Sequence, residues 1–109
     1  MRTLVHPSID DIELQALFYA LGDKTRLRII ANLHAGGTTP LICAEATANI
    51  ENLSQSTSSH HFRILREGGL VHSERKGKEC YNTLRTAELE TKFPGLMKTI
   101  LTTIARQAR

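Results

Sequence analysis

The segment from Ser54 to Arg85, SQSTSSHHFRILREGGLVHSERKGKECYNTLR, constrains the fold more than any other part of the chain. It places a helix with a polar face, a glycine stop and a basic hairpin in immediate succession. Ser54 suits an N-cap, because its hydroxyl can accept from the free amides of the first helical turn. Phe62, Ile64 and Leu65 supply the side that must pack inward. Gln55, Ser56, Thr57, Ser59, His60 and His61 are short and polar, able to exchange hydrogen bonds with base edges and phosphates without keeping a helix out of a major groove. His61 has a second option, turning toward the core beside Leu65. Arg63 is expected along the groove wall as a phosphate contact. Gly68 and Gly69 end the helix, since glycine accepts the left-handed conformation that a C-terminus requires. Leu70 to Arg75 and Glu79 to Leu84 read as two strands around Lys76, Gly77 and Lys78, a basic turn able to reach an adjacent phosphate or minor groove.

A serine-rich helix start can also be no more than a capped, solvated end. Against that, Ser58, Ser59, His60 and His61 are weak helix formers where Glu, Lys or Ala would serve a merely solvated face better. Lys76 and Lys78 likewise divide between phosphate contacts and solubilising turn residues. The formal net charge of +3 and the pI of about 9.1 are mild. Their distribution says more: Arg63, Arg66, Arg75, Lys76, Lys78 and Arg85 stand against Glu67, Glu74 and Glu79, so this one segment carries the chain's whole excess. A basic excess concentrated on a hairpin and helix is what a nucleic-acid partner calls for. The expected architecture is mainly α with a two-stranded β-hairpin wing, a winged helix-turn-helix.

The remaining sequence supplies a scaffold for that unit. At 109 residues the chain is expected to be one domain, residues 1–109, with a small core whose stability a self-associating surface would support. It contains no apolar run near 18 residues and no signal-peptide pattern, so a soluble, cytoplasmic protein without membrane contact is expected. His6-Pro7-Ser8 reads as an extended lead-in, with His6 on a mobile arm. A first helix over about residues 8–21 carries Leu14, Leu17, Phe18 and Leu21 at i, i+3, i+4 and i+7. Gly22 closes it, and Asp23 caps a second helix with Leu27, Ile30, Ala31 and Leu33 inward. Thr39-Pro40 predicts the start of the next helix, Leu41 to about Ala48, followed by a turn over Asn49 to Leu53. Thr86 to Thr91 forms a short helical turn. A last helix over about 94–107 begins at Pro94 and aligns Leu96, Met97, Ile100, Leu101 and Ile104. The apolar stripes Leu14, Leu17, Phe18 and Leu96, Met97, Ile100, Leu101, Ile104 are the expected dimer surface. Phe18, Tyr19, Leu21, Phe93, Leu96 and Met97 could alternatively line a pocket for an organic ligand, although a dimer core needs the same side chains.

Two phrases, LGDKTRLRIIANL at 21–33 and SQSTSSHHFRILREGGLV at 54–71, resemble the second helix and the recognition helix of the ArsR/SmtB family of bacterial repressors. The resemblance covers Leu14 to Leu84 and extends to the terminal helices by position. It implies a homodimer built on the first and last helices, occupation of a palindromic operator in double-stranded DNA, and release when an inducer binds or reacts. Metal-sensing members carry a Cys-x-Cys box in the first helix of the helix-turn-helix, or Asp, His and Glu ligands on the last helix. This chain departs from both. Cys43 falls at the first box but Ala44 and Glu45 follow it, and the last helix has no histidine. No metal site of the family's usual kind and no resident cofactor is expected, since zinc or arsenic wants three or four soft or imidazole ligands at fixed geometry.

Cys43 and Cys80 remain as candidate sensing residues. Free cysteine in a cytosolic protein is most often a small buried hydrophobe. A thiol switch is the functional alternative, in which oxidation or modification moves the wing relative to the helix-turn-helix. No Cys-x-x-Cys, phosphate-binding glycine loop or nucleophile with a credible base is present, so enzymatic activity is not expected. His60 and His61 point about 100° apart on a helix and cannot share one catalytic task. The reading from another class is a small thiol redox-relay or metal-carrier protein that does not act on DNA. The polar helix face and the localised charge weigh against it.

Overall fold

A computed structural model describes residues 2–107 of the chain. In order, the elements are β1 (Arg2–Thr3), a 3-10 turn (Ile9–Asp11), α1 (Leu14–Leu21), α2 (Lys24–Ala35), β2 (Leu41–Ile42), α3 (Cys43–Ala46), α4 (Gln55–Glu67), β3 (Val71–Lys76), β4 (Glu79–Leu84), α5 (Thr86–Lys92) and α6 (Leu96–Gln107). The strands form one antiparallel sheet in the order β1-β3-β4-β2. The wing is therefore the centre of a four-stranded sheet, where the sequence alone predicts an isolated hairpin. Its two partners are two-residue strands that lack the alternating pattern by which a strand is recognised.

The core runs through all the helices and under the sheet. Leu17, Ala20, Ile29, Ile30, Leu33, Phe62, Leu65, Leu70, Val71, Leu89 and Met97 are fully or almost fully buried. On α2 the inward positions are Arg26, Ile29, Ile30 and Leu33, again at i, i+3, i+4 and i+7. Asp23 caps this helix, its carboxylate accepting from the Arg26 amide at 3.0 Å. The end of α4 packs directly on the segment around α1. A Cβ at Gly68 would stand 2.9 Å from the Ala20 Cβ, and one at Gly69, where φ is +86°, would stand 2.6 Å from the Ile12 side chain.

Several boundaries differ from the sequence-based expectation. The first helix begins at Leu14, because the stretch from Ser8 is taken by a 3-10 turn whose carbonyls are held from elsewhere: Lys92 donates to the carbonyls of Ile9, Asp10 and Ile12 at 2.9, 2.9 and 2.6 Å. Thr39-Pro40 does not start a helix. Leu41 and Ile42 instead pair with Asn82 and Tyr81 of β4, which confines α3 to four residues. The last helix begins at Leu96 rather than Pro94, after Gly95 at φ +83°. His6 is not on a mobile arm. Its Nε2 accepts from the Ser73 amide at 2.8 Å, and its ring stacks on His72 with centroids 4.6 Å apart.

Candidate nucleic-acid interface

Recognition by a helix needs one rigid polar stripe, and α4 is built to hold one. Ser54 accepts from the Thr57 amide at 3.2 Å, the N-cap expected from its position. Its hydroxyl also meets those of Thr57 at 2.9 Å and Ser56 at 3.4 Å, so the first turn presents tied hydroxyls. The opposite side is fixed by the burial of His61, Phe62 and Leu65. Gln55, Ser56, Thr57, Ser59, His60 and Arg63 are all exposed. Ser56, Ser59, His60 and Arg63 recur three or four positions apart and lie on one face. Arg63 donates to His60 Nδ1 at 3.3 Å, which couples the orientation of these two side chains on that face.

His61 is not on this face, contrary to one of the two expectations for it. It is 9% exposed, and its Nδ1 accepts from Arg26 Nη1 at 3.1 Å. The same guanidinium donates through Nε to the Ala20 carbonyl at 2.7 Å and through Nη2 to the Tyr19 carbonyl at 3.2 Å. Arg26 thus fastens α4 to the C-terminus of α1. Burial lowers the His61 pKa, an effect opposed by the Asp23 carboxylate and reinforced by Arg26. Sequence reasoning missed this link, though an arginine among the inward positions of α2 is its visible trace.

The wing follows α4 directly in the chain, and its first strand packs against that helix. β3 and β4 pair from Val71↔Leu84 to Lys76↔Glu79, leaving Gly77 and Lys78 as a two-residue turn. Gly77 has φ +61°, and Lys78 is not among the residues with positive φ, the pattern of a type II′ hairpin turn. Lys76 and Lys78 are exposed, and Lys76 Nζ lies 5.2 Å from the Tyr81 ring centroid. Arg85 does not add to this charge. It is buried, donating to Glu88 at 2.9 and 3.0 Å and to the Pro7 carbonyl at 2.8 Å. The turn between α3 and α4 is set by Asn52 at φ 58°, a conformation asparagine tolerates. Asn32 of α2 holds α3 in place by donating to the Ala46 carbonyl at 2.8 Å and to Asn49 at 2.7 Å.

Three of the eight residues of the expected dimer surface belong to the subunit's own core. Leu17, Met97 and Leu101 are 0%, 0% and 6% exposed, because the inward and outward sides of α1 and α6 are each narrower than an unbroken apolar stripe. Leu14 and Phe18 are 44% and 49% exposed, with Tyr19 at 67% beside them. Leu96, Ile100 and Ile104 are half-buried. Cys43 and Cys80, distant in sequence, come together around Asn82, whose Nδ2 donates to Cys43 Sγ at 3.4 Å and whose Oδ1 accepts from Cys80 Sγ at 3.9 Å. Among the described residues no group of three or more His, Cys, Asp or Glu is placed to hold a metal ion. No helix among them is long and apolar enough to cross a membrane.

Comparison with known proteins agrees with this geometry. The family model described as "Helix-turn-helix domain" matches residues 21–74, from the end of α1 into the wing. The chain is 37% identical over 93 residues to the uncharacterized HTH-type transcriptional regulator YceK of Bacillus subtilis, covering 85% of this chain and 90% of that protein. It is 34% identical over 74 residues to the transcriptional repressor SdpR of the same organism, covering 68% and 78%. The crystal structure of an ArsR family transcriptional regulator superposes with a TM-score of 0.64 at 17% identity, over 87% of this chain and 92% of that one, a likeness of fold. With the two sequence phrases, the α4–wing geometry and these relatives in agreement, the chain belongs to the ArsR/SmtB-type winged helix-turn-helix family of DNA-binding transcriptional regulators, not to a family of enzymes.

Proposed function

We propose that the protein is a cytoplasmic homodimeric repressor that places one α4 per subunit in successive major grooves of a palindromic operator. The observation that carries this reading is the exposed polar stripe on α4, followed in the chain by a hairpin whose turn exposes Lys76 and Lys78. Gln55 and His60 read base edges in this arrangement, while Ser56, Thr57, Ser59 and Arg63 set register and affinity through the phosphates. Lys76 and Lys78 reach the backbone beside the groove. The dimer forms through Leu14 and Phe18 of α1 with the outer side of α6, Leu96, Ile100 and Ile104. An apolar patch of that kind on a small domain marks an interaction surface. Occupation of the operator blocks transcription, the activity the name of the relative SdpR states for that protein.

Binding to a duplex carrying the DNA upstream of the protein's own gene tests the reading. Lys76→Ala with Lys78→Ala should weaken binding and flatten its salt dependence, by about 0.9 in the logarithmic slope for each phosphate that is no longer neutralised. Fluorescence anisotropy over a salt series measures both quantities. An unchanged slope and affinity would remove the wing from the interface.

A further inference from the structure

The register of β2 on β4 brings the two cysteines of the chain together. Leu41 lies opposite Asn82 and Ile42 opposite Tyr81, and Cys43 follows as the first residue of α3, so the end of this pairing brings it beside Cys80. The thiols also point at common ground. The Asn82 side-chain amide meets Cys43 Sγ at 3.4 Å and Cys80 Sγ at 3.9 Å, and Cys43 Sγ stands 4.0 Å from the Cys80 carbonyl oxygen. Both cysteines are half-buried, so neither is a sealed core residue and a small solute can reach them. Burial raises the Cys43 thiol above its ordinary pKa, with Cys80 adding to the rise and the Asn82 hydrogen bond opposing it.

Resting on the operator reading above, we infer that Cys43 and Cys80 form an oxidant-sensing dithiol, which a hydroperoxide converts to an intrasubunit disulfide that weakens DNA binding. The chemistry balances with one peroxide. One thiol takes an oxygen as the O–O bond breaks, giving a sulfenic acid and releasing water or an alcohol. The second sulfur then displaces that oxygen as water and forms the S–S bond. Each sulfur gives up one electron, and the peroxide receives both.

The structural consequence is a tether between the helix-turn-helix and the wing. Asn82 now links them through hydrogen bonds alone, donating to the Leu41 carbonyl at 3.1 Å and accepting from the Ser73 hydroxyl at 2.6 Å. Closing the bridge removes its bond to Cys43 and draws β4 toward α3. Lys78 is two residues before Cys80, so the turn that reaches the backbone moves with the strand.

The test treats reduced full-length protein with hydrogen peroxide and follows intact mass, peptide cross-links and operator affinity in parallel. Expected are the loss of two hydrogen masses in a monomer, a Cys43–Cys80 cross-linked peptide, and an affinity lowered by about tenfold, well within the usual range of coupling between sites. Dithiothreitol should restore binding, and Cys43→Ser, Cys80→Ser and Cys80→Ala should each keep their affinity under peroxide. Oxygen addition without a bridge, a bridge between subunits, or an internal bridge that leaves affinity unchanged would overturn the inference. If the bridge forms but the reduced protein binds no operator, the regulatory half fails together with the operator reading, and only the disulfide assignment stands.

Discussion

Arg26 has only donors to offer, so the His61 Nδ1 it reaches at 3.1 Å must carry a lone pair, and that imidazole is neutral in the folded protein. His6 follows the same logic, since its Nε2 accepts from the Ser73 amide. Burial is the largest cause lowering both, reinforced at His6 by His72 and opposed at His61 by Asp23. Each therefore binds a proton more readily in the unfolded chain than in the fold. Their contribution to stability is complete above the unfolded value of about 6.5 and is lost as pH falls through the lower folded values. Asp23 and Glu88 are lowered by their partners and lose their own contribution at more acidic pH. Between pH 7.5 and 5.5 the melting temperature should fall, and His61→Gln, which keeps an acceptor for Arg26 without titrating, should reduce that fall. Equal pH profiles for both proteins would show that the Arg26–His61 contact does not set the imidazole's charge. At this scale the exposed α4 residues were legible because polar side chains at helical spacing declare a face. His61 was legible only as a choice between that face and the core, because its position lies at the edge of the face and the partner that decides it is 35 residues away.

Among the elements, the packing of α4 against the region around α1 depends on two residues without side chains. Gly69→Ala should cost about 1–3 kcal/mol by urea denaturation, since a Cβ there meets Ile12 at 2.6 Å on a backbone with φ of +86°. A cost near zero would mean that Ile12 yields and the contact does not position α4. The helix lengths show where sequence reading stops. α4 ends where Gly68 and Gly69 predict, because its cap, its apolar face and its stop are all local. α3 is four residues long, because the two residues before it pair with β4 some 40 positions later. The wing strands were legible from alternation and the Gly77 turn, whereas β1 and β2 exist only through the partner they pair with. Lys92 belongs to the same class of hidden determinant, closing the 3-10 turn from a helix 80 or more residues away.

For the whole molecule, the division of α1 and α6 between core and surface decides how self-association can be tested. Leu101→Glu would put a charge into the core and report on folding, whereas Phe18 is half exposed and can change without unfolding the subunit. Phe18→Glu should give a folded monomer by sedimentation velocity and lower operator affinity; a persistent dimer would place the interface elsewhere. The sequence stripes identified both helices but could not divide each into an inner and an outer side, because that depends on how α6 packs across α2. Whether α4 reads DNA is decided by selecting bound sites from a library of randomised duplexes. The expected result is enrichment of an inverted repeat whose half-sites are centred about one helical turn apart, roughly 10–10.5 base pairs, with the enrichment lost in a Ser59→Ala, His60→Ala variant. A library that emerges unenriched, or enriched equally by that variant, would contradict the assignment of α4 as the element that reads DNA.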